Sequence, residues 1–131
     1  MRLLLDSQVF IWAMSGSRNL GHEVKAMIAS PDNEVLFSVA SAWELWLKHA
    51  KKRIATVLDG GAKGLEGALE ETSISLLGIS LEHARAASLL PHHHRDPFDR
   101  MLIAQAMVDG LTLVSSDTTF RQYSGLSLLQ A

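Results

Sequence analysis

The sequence predicts an α/β fold of three layers, α/β/α, built on a central, mainly parallel sheet of four to five strands. Three observations carry that expectation. Leu3-Leu4-Leu5, Val35-Leu36-Phe37 and Leu111-Thr112-Leu113-Val114 are short, largely apolar runs, which suits strands buried on both faces of a parallel sheet. Stretches with helical periodicity fall between them, so strand and helix alternate along the chain. The 131 residues, 47% apolar and 20% charged, suffice for one domain, residues 1–131, with a real hydrophobic core.

The first strand, Leu3-Leu4-Leu5, ends in Asp6 and Ser7, either of which can cap a helix starting near Gln8. Val9, Phe10, Trp12 and Ala13 supply that helix, and the Ser15-Gly16-Ser17 turn stops it. A second helix is expected over residues 21–29, with Val24, Met27 and Ile28 on one face, before the turn Pro31-Asp32-Asn33. After the second strand, Val35-Leu36-Phe37, residues 38–52 form a third helix capped by Ser38 or Ser41. Trp43, Trp46, Leu47 and Ala50 are its expected apolar surface. Glu44 lies beside that stripe, and pairs as readily with Lys48 one turn on, on a solvated face. Lys48, Lys51, Lys52 and Arg53, with His49 between them, form a dense basic cluster. Such a cluster steers an anionic polymer or simply offsets the dipole at a helix C-terminus.

Residues 56–73 carry the weakest signal. Gly60, Gly61, Gly64 and Gly67 oppose a helix while Leu58, Leu65 and Leu69 keep a loose amphipathic pattern, so a loop and then a helix over about residues 63–71 is expected. A strand over residues 74–79 and a Ser80-capped helix over 81–90 follow. The strongest local signal is the next stretch, residues 91–107. Asp96 reads as a helix N-cap, Pro97 takes the first helical position, and Asp99 sits in the first turn, where the helix dipole favours an anion. Phe98, Leu102 and Ala106 recur at intervals of four beside Met101 and Ile103, so this helix is largely buried, and Gly110 ends it. A strand at 111–114, Ser115-Ser116-Asp117 at its carboxyl end, one helical turn at 118–122 and an edge strand at 126–129 complete the chain.

Composition excludes several classes of function. The chain contains no cysteine, which removes disulfides, thiolate zinc sites and cysteine nucleophiles. A net charge of −2 opposes broad, charge-driven nucleic-acid binding but allows a local basic face. The amino-terminal apolar run is too short for a signal peptide, and no stretch reaches the length of a membrane span. A soluble, cytoplasmic protein with no membrane partner is expected.

The positive evidence lies in where the acids fall. Right-handed crossovers put the carboxyl ends of parallel strands on one edge, so Asp6 and Asp117 open toward the same side. The helix carrying Glu44 starts at that edge, and the helix carrying Asp99 has its amino terminus there. Four carboxylates from separate segments therefore converge. Packed carboxylates repel unless a cation compensates, and all-oxygen ligation favours Mg²⁺ or Mn²⁺ over zinc. Such ions activate water and steady a phosphodiester in an in-line displacement. Ser7 and Ser115 are placed to hydrogen-bond the ligands or the substrate. The spacing of Asp96 to Asp99 suggests a cap reaching toward the site, with metal ligation as the alternative. The His92-His93-His94 run suggests a transition-metal site, a tag or a loop flanking the site; the last is preferred, with Arg95 and a histidine touching phosphate. The tryptophans are expected in the core or at a partner interface rather than as base-stacking platforms.

The sequence resembles the PIN-domain ribonucleases, in particular the VapC-type toxins of bacterial toxin–antitoxin pairs. The resemblance spans essentially the whole chain. It is carried by Leu3-Leu4-Leu5-Asp6-Ser7, by Ser38-Val39-Ala40-Ser41-Ala42-Trp43-Glu44, by His93-His94-Arg95-Asp96-Pro97-Phe98-Asp99-Arg100 with Leu102-Ile103-Ala104-Gln105-Ala106, and by Leu113-Val114-Ser115-Ser116-Asp117. It implies that Asp6, Glu44, Asp99 and Asp117 bind Mg²⁺ or Mn²⁺ and cleave RNA, and that the chain forms a homodimer and meets a neutralising antitoxin. An apolar groove near Trp43 and Trp46 is the candidate antitoxin surface. Two departures stand out: Asp6-Ser7-Gln8 where the family often has Asp-Thr-His or Asp-Thr-Asn, and Ser115 where it commonly has threonine. Both serines keep the hydroxyl; Gln8 bears on substrate contacts.

Two other classes compete. A phosphorylatable receiver domain needs a lysine after a late strand and adjacent acids after the first, yet no lysine follows Lys63 and Asp6 stands alone. A PIN-fold binding or regulatory protein with weak or no nuclease activity is the closer alternative, and the complete set of acids opposes it.

Overall fold

The structure is a computed structural model and describes residues 1–50 and 62–131. The strands are β1 (Arg2–Leu5), β2 (Glu34–Ser38), β3 (Ile74–Leu77), β4 (Thr112–Ser115) and β5 (Ser127–Gln130). The helices are α1 (Ser7–Ser15), α2 (His22–Ala29), α3 (Val39–Ala50), α4 (Ala62–Glu71), α5 (Leu81–Leu89) and α6 (Pro97–Asp109), with a 3₁₀ turn at Thr118–Gln122. All five strands are parallel, in the order β3-β2-β1-β4-β5. The expected edge strand β5 is therefore one edge, and β3 is the other. Lys51, Lys52 and Arg53 of the basic cluster, the end of the third predicted helix and the loop expected from residue 56 lie outside the described residues.

The two-sided burial of the sheet follows from strand geometry, in which successive side chains point to opposite faces. Leu3, Leu5, Val35, Phe37 and Val114 join Val9 and Phe10 of α1, Val24 of α2, Ala42 and Leu45 of α3 and Leu65 of α4 in one core. Leu4, Leu36 and Leu113 point the other way and pack on Leu102, Ile103 and Ala106 of α6, with Phe120 and Tyr123. Phe10 and Phe37 stack at 4.0 Å between centroids and tie α1 to β2.

Helix ends follow the local chemistry. Ser80 accepts from the His83 N–H at 3.1 Å while His83 Nδ1 accepts from the Ser80 N–H at 3.0 Å, a reciprocal cap with histidine in the place usually held by glutamate. Gly110 closes α6 in the left-handed conformation at φ 67°, and its N–H donates to Ala106 O. Arg100, in the first turns of α6, donates to the carbonyls of Ala87, Leu90, Pro91 and His94. One guanidinium thereby fixes the whole connection from α5 to α6, the segment that carries the histidine run.

One expectation is overturned. Trp43, Trp46 and Leu47 do not form the buried face of α3: Trp43 is 59% and Trp46 40% exposed, while Ala42, Glu44 and Leu45 turn inward. Helix periodicity fixes which residues share a stripe but not which stripe meets the sheet. Here the small Ala42 and the compact Leu45 fit against the closely packed strands, and the indoles stay outside. That leaves these two tryptophans the partner-interface alternative rather than the core.

Candidate active site

The carboxyl edge of the sheet gathers the predicted acids. Asp6 follows β1 directly. Its N–H donates to Val114 O at 3.1 Å, extending the β1–β4 ladder, and its Oδ1 accepts from the Val9 N–H at 2.7 Å, capping α1. The cap and the site position are thus both realised in one residue. Ser7 opens α1 and donates its hydroxyl to Glu44 Oε1 at 2.7 Å. Glu44 is only 7% exposed, and its other oxygen lies 3.3 Å from Lys48 Nζ. The Lys48 pairing expected from the sequence exists, but on a buried carboxylate rather than on a solvated face.

Asp99 reaches the same edge from the first turn of α6. Asp96 caps that helix, its Oδ1 accepting from the N–H groups of Phe98 and Asp99 at 2.8 and 3.4 Å. Its carboxylate is therefore committed to the helix mouth, as the sequence suggests. Asp117 follows β4, accepts from the Thr119 N–H at 2.9 Å and donates its own N–H to Ser115 Oγ at 3.0 Å. The Ser115 hydroxyl also hydrogen-bonds the Asp6 carboxyl, so one buried serine links the ends of β1 and β4. Arg95 is exposed and stands at the rim, lining a groove of about 420 Å³ with Glu44, Leu47, Lys48, Asp96, Pro97 and Phe98.

The electrostatics mark these acids as mutually repelling. Burial pushes the Asp99 carboxyl up to about 7, reinforced by the negative charges of Asp96, Glu44, Asp117 and Asp6. Burial also raises Asp6; hydrogen bonds from Ser115 and Val9 oppose that rise, and Glu44 and Asp117 add to it. Asp117 goes the other way. Its slight burial would raise it, but the Thr119 backbone and side-chain hydrogen bonds and the neighbouring His94 together hold it below the ordinary value. A site that holds a proton near neutrality on one acid while its neighbour stays ionised is built for a counter-charge.

His94 belongs to the run that the sequence placed in a loop flanking the site, with a transition-metal role as another reading. It is 8% exposed, lies flat against Phe120 at 4.6 Å, and its Nε2 lies 3.5 Å from Asp117 Oδ2. That nitrogen is buried without a hydrogen-bond partner. One ligand atom each from His94, Asp99 and Asp117 lie within 4.8 Å of one another. The only signal for it was the histidine run itself. Its orientation depends on Tyr123, 29 residues later, whose hydroxyl accepts the His94 N–H at 3.0 Å. An orphaned buried imidazole beside clustered carboxylates fits a divalent cation, and the donor set is mixed nitrogen and oxygen rather than oxygen alone.

The PIN domain family model matches residues 3–126. The chain belongs to the PIN-domain family. Its fold is similar to VapBC2 from Rickettsia felis bound to a DNA fragment from its promoter (TM-score 0.76, 15% identity, 100% of this chain and 99% of that one). It is also similar to DNA-bound VapBC from Salmonella typhimurium (TM-score 0.71, 14% identity, 99% and 98%). VapBC-5 from Mycobacterium tuberculosis, of the VapBC family of toxin–antitoxin systems, is a third such fold (TM-score 0.63, 20% identity, 99% and 98%). No curated protein sequence matches the chain. Among the described residues, no helix of this PIN domain is long and apolar enough to cross a membrane.

Proposed function

We propose that this PIN-domain chain, working as one domain, is a cytoplasmic Mg²⁺- or Mn²⁺-dependent endoribonuclease and the toxin of a toxin–antitoxin pair. The observation that carries the reading is the buried acidic edge, with Asp99 pushed up to about 7 by burial and then by its acidic neighbours, beside the orphaned His94 nitrogen. Asp6, Glu44, Asp99 and Asp117 are the metal-binding and catalytic acids. When bound, a divalent ion supplies an activated water and charge for the phosphoryl oxygens.

The chain's own groups do the rest. Ser7 fixes the rotamer of Glu44, and Ser115 orients Asp6 and Asp117 together, so the carboxylates are preorganised. Asp96 satisfies the first N–H groups of α6 and keeps Asp99 aimed at the edge. Arg95 and Lys48 place cationic groups along the adjoining groove, where they hold backbone phosphates on either side of the scissile bond. With water as the nucleophile, the substrate 2′-hydroxyl takes no part. RNA cut by the purified protein with Mn²⁺ should therefore end without a 2′,3′-cyclic phosphate, as judged by mass spectrometry of the fragments; cyclic ends would sink the mechanism.

The partner half of the proposal is a cognate antitoxin, with the chain itself a homodimer. The similar folds come from VapBC toxin–antitoxin complexes, which supports the antitoxin half of this reading. Trp43 packs edge-to-face on Phe98, a groove residue, Trp43 and Trp46 are both exposed, and aromatic residues of this kind dominate protein interfaces. Trp46→Ala should weaken antitoxin binding by about 2 kcal/mol, roughly thirtyfold in Kd. Unchanged affinity by calorimetry would remove Trp46 from the interface.

A further inference from the structure

We propose that His94 is a nitrogen ligand of the ion held by Asp99 and Asp117, so that the site prefers Mn²⁺-class ions to Mg²⁺. The inference rests on the metal-site reading above and deepens it.

The ring is fixed before any ligand arrives. It is stacked on Phe120 at 4.6 Å and near-parallel to Tyr123 at 5.4 Å, with the side chain almost wholly buried. Tyr123 Oη accepts the His94 backbone N–H at 3.0 Å, lies 3.1 Å from Nδ1, and lies 3.4 Å from Pro91 O. The network admits two proton assignments, because Pro91 O also accepts from Arg100 and does not need the phenol proton. The first suits a metal. Nδ1–H and the backbone N–H both donate to Oη, and the phenol proton goes to Pro91 O. Nδ1 then carries the ring proton, and Nε2 presents its lone pair to the acidic edge. This is the arrangement of a metal-binding imidazole whose far nitrogen is oriented by a partner.

The distances agree. Nε2 and Asp117 Oδ2 are 3.5 Å apart, within the range of about 3 to 4 Å spanned by two ligands of one ion with bonds near 2.1 Å. A lone pair facing a carboxylate at that distance has no attractive partner unless a cation lies between them. Magnesium is a hard ion that takes oxygen ligands and keeps its waters, so an imidazole adds little for it. Manganese, the first of the transition ions in the affinity series for nitrogen donors, takes an imidazole beside carboxylates more readily than magnesium does and less readily than the later ions. A second arrangement competes: Tyr123 donates to Nδ1, and Nε2–H points at Asp117 as a simple hydrogen-bond donor. That form makes His94 a positioning group and gives no nitrogen bond to metal.

The test reads the metal directly and needs no activity. The full-length protein is loaded with MnCl₂ and studied by electron spin-echo envelope modulation, once with natural histidine and once with ¹⁵N-labelled histidine. The expected result is nitrogen coupling that changes with the isotope in the wild type, persists in His92→Ala and disappears in His94→Gln. Titration calorimetry should show His94→Gln weakening Mn²⁺ by at least about tenfold and Mg²⁺ by less than about threefold. Mn²⁺ bound without nitrogen coupling overturns the inference and leaves the carboxylate site standing. No binding of Mn²⁺ at all overturns both. The isotope comparison is made in the wild type, so a folding defect in His94→Gln does not decide the outcome.

Discussion

Metal-free Asp99→Asn should be more stable than the wild type at pH 8, despite losing an acid from a helix N-terminus. In the folded wild type, burial and its acidic neighbours push Asp99 up to about 7 from 3.8. Below pH 4 the group is protonated both folded and unfolded, and the full stability is present. Between pH 4 and about 7 the folded state keeps a proton that the unfolded state has released, so stability falls as pH rises, and above 7 the loss is complete. Asparagine keeps the shape and never carries the charge. After allowance for solvent screening and for the lost dipole interaction, the gain is of order 1–2 kcal/mol, or about 3–8 °C in Tm. The two proteins should coincide near pH 4 and diverge toward pH 7. A wild type more stable than Asp99→Asn at pH 8 would mean the acids are not in conflict.

Divalent metal should reverse the ranking. Saturation of the wild type at about a hundred times Kd stabilises it by about 2.7 kcal/mol, a rise on the order of 10 °C, while Asp99→Asn should gain little. The effect has a pH sign as well. Binding must displace the proton from Asp99, so apparent affinity should drop by about tenfold for each pH unit below 7 and stay nearly level above it. Thermal melts with Mn²⁺ at pH 5.5 and 8 measure both. A metal-induced rise of equal size in the wild type and in Asp99→Asn would place the ion elsewhere.

The stability cost and the metal response are two views of one arrangement. A folded chain that tolerates repelling carboxylates gives up stability to hold a strong counter-charge when one arrives. The rigid parts absorb that cost. Asp6 and Asp117 hang from strands buried on both faces, and Asp99 from a helix whose connection is held by Arg100.

The features legible in the sequence were those set by near neighbours. Asp96-Pro97 and Gly110 punctuate α6 because caps act within one turn, and the central strands β1, β2 and β4 are visible because burial on both faces leaves little room for polar interruption. The meeting of Asp6, Glu44, Asp99 and Asp117 at one edge was readable for a different reason: parallel strands put their carboxyl ends on one side whatever the details of packing. The inward turn of Glu44 was not readable, because its neighbours Trp43 and Trp46 make the wrong stripe look like the core. His94 was hidden for a longer-range reason. Its orientation comes from Tyr123 and Phe120, which local pattern cannot connect to residue 94.

The most direct measurement is cleavage of structured RNA by purified wild type and Asp99→Asn, each first stripped of metal and then assayed with and without Mn²⁺ or Mg²⁺. Cleavage is expected only by the wild type and only with metal, with the asparagine variant slower by about a thousandfold or more, an effect of about 4 kcal/mol on the barrier. Equal, metal-dependent cleavage by both proteins would contradict the acidic-edge reading.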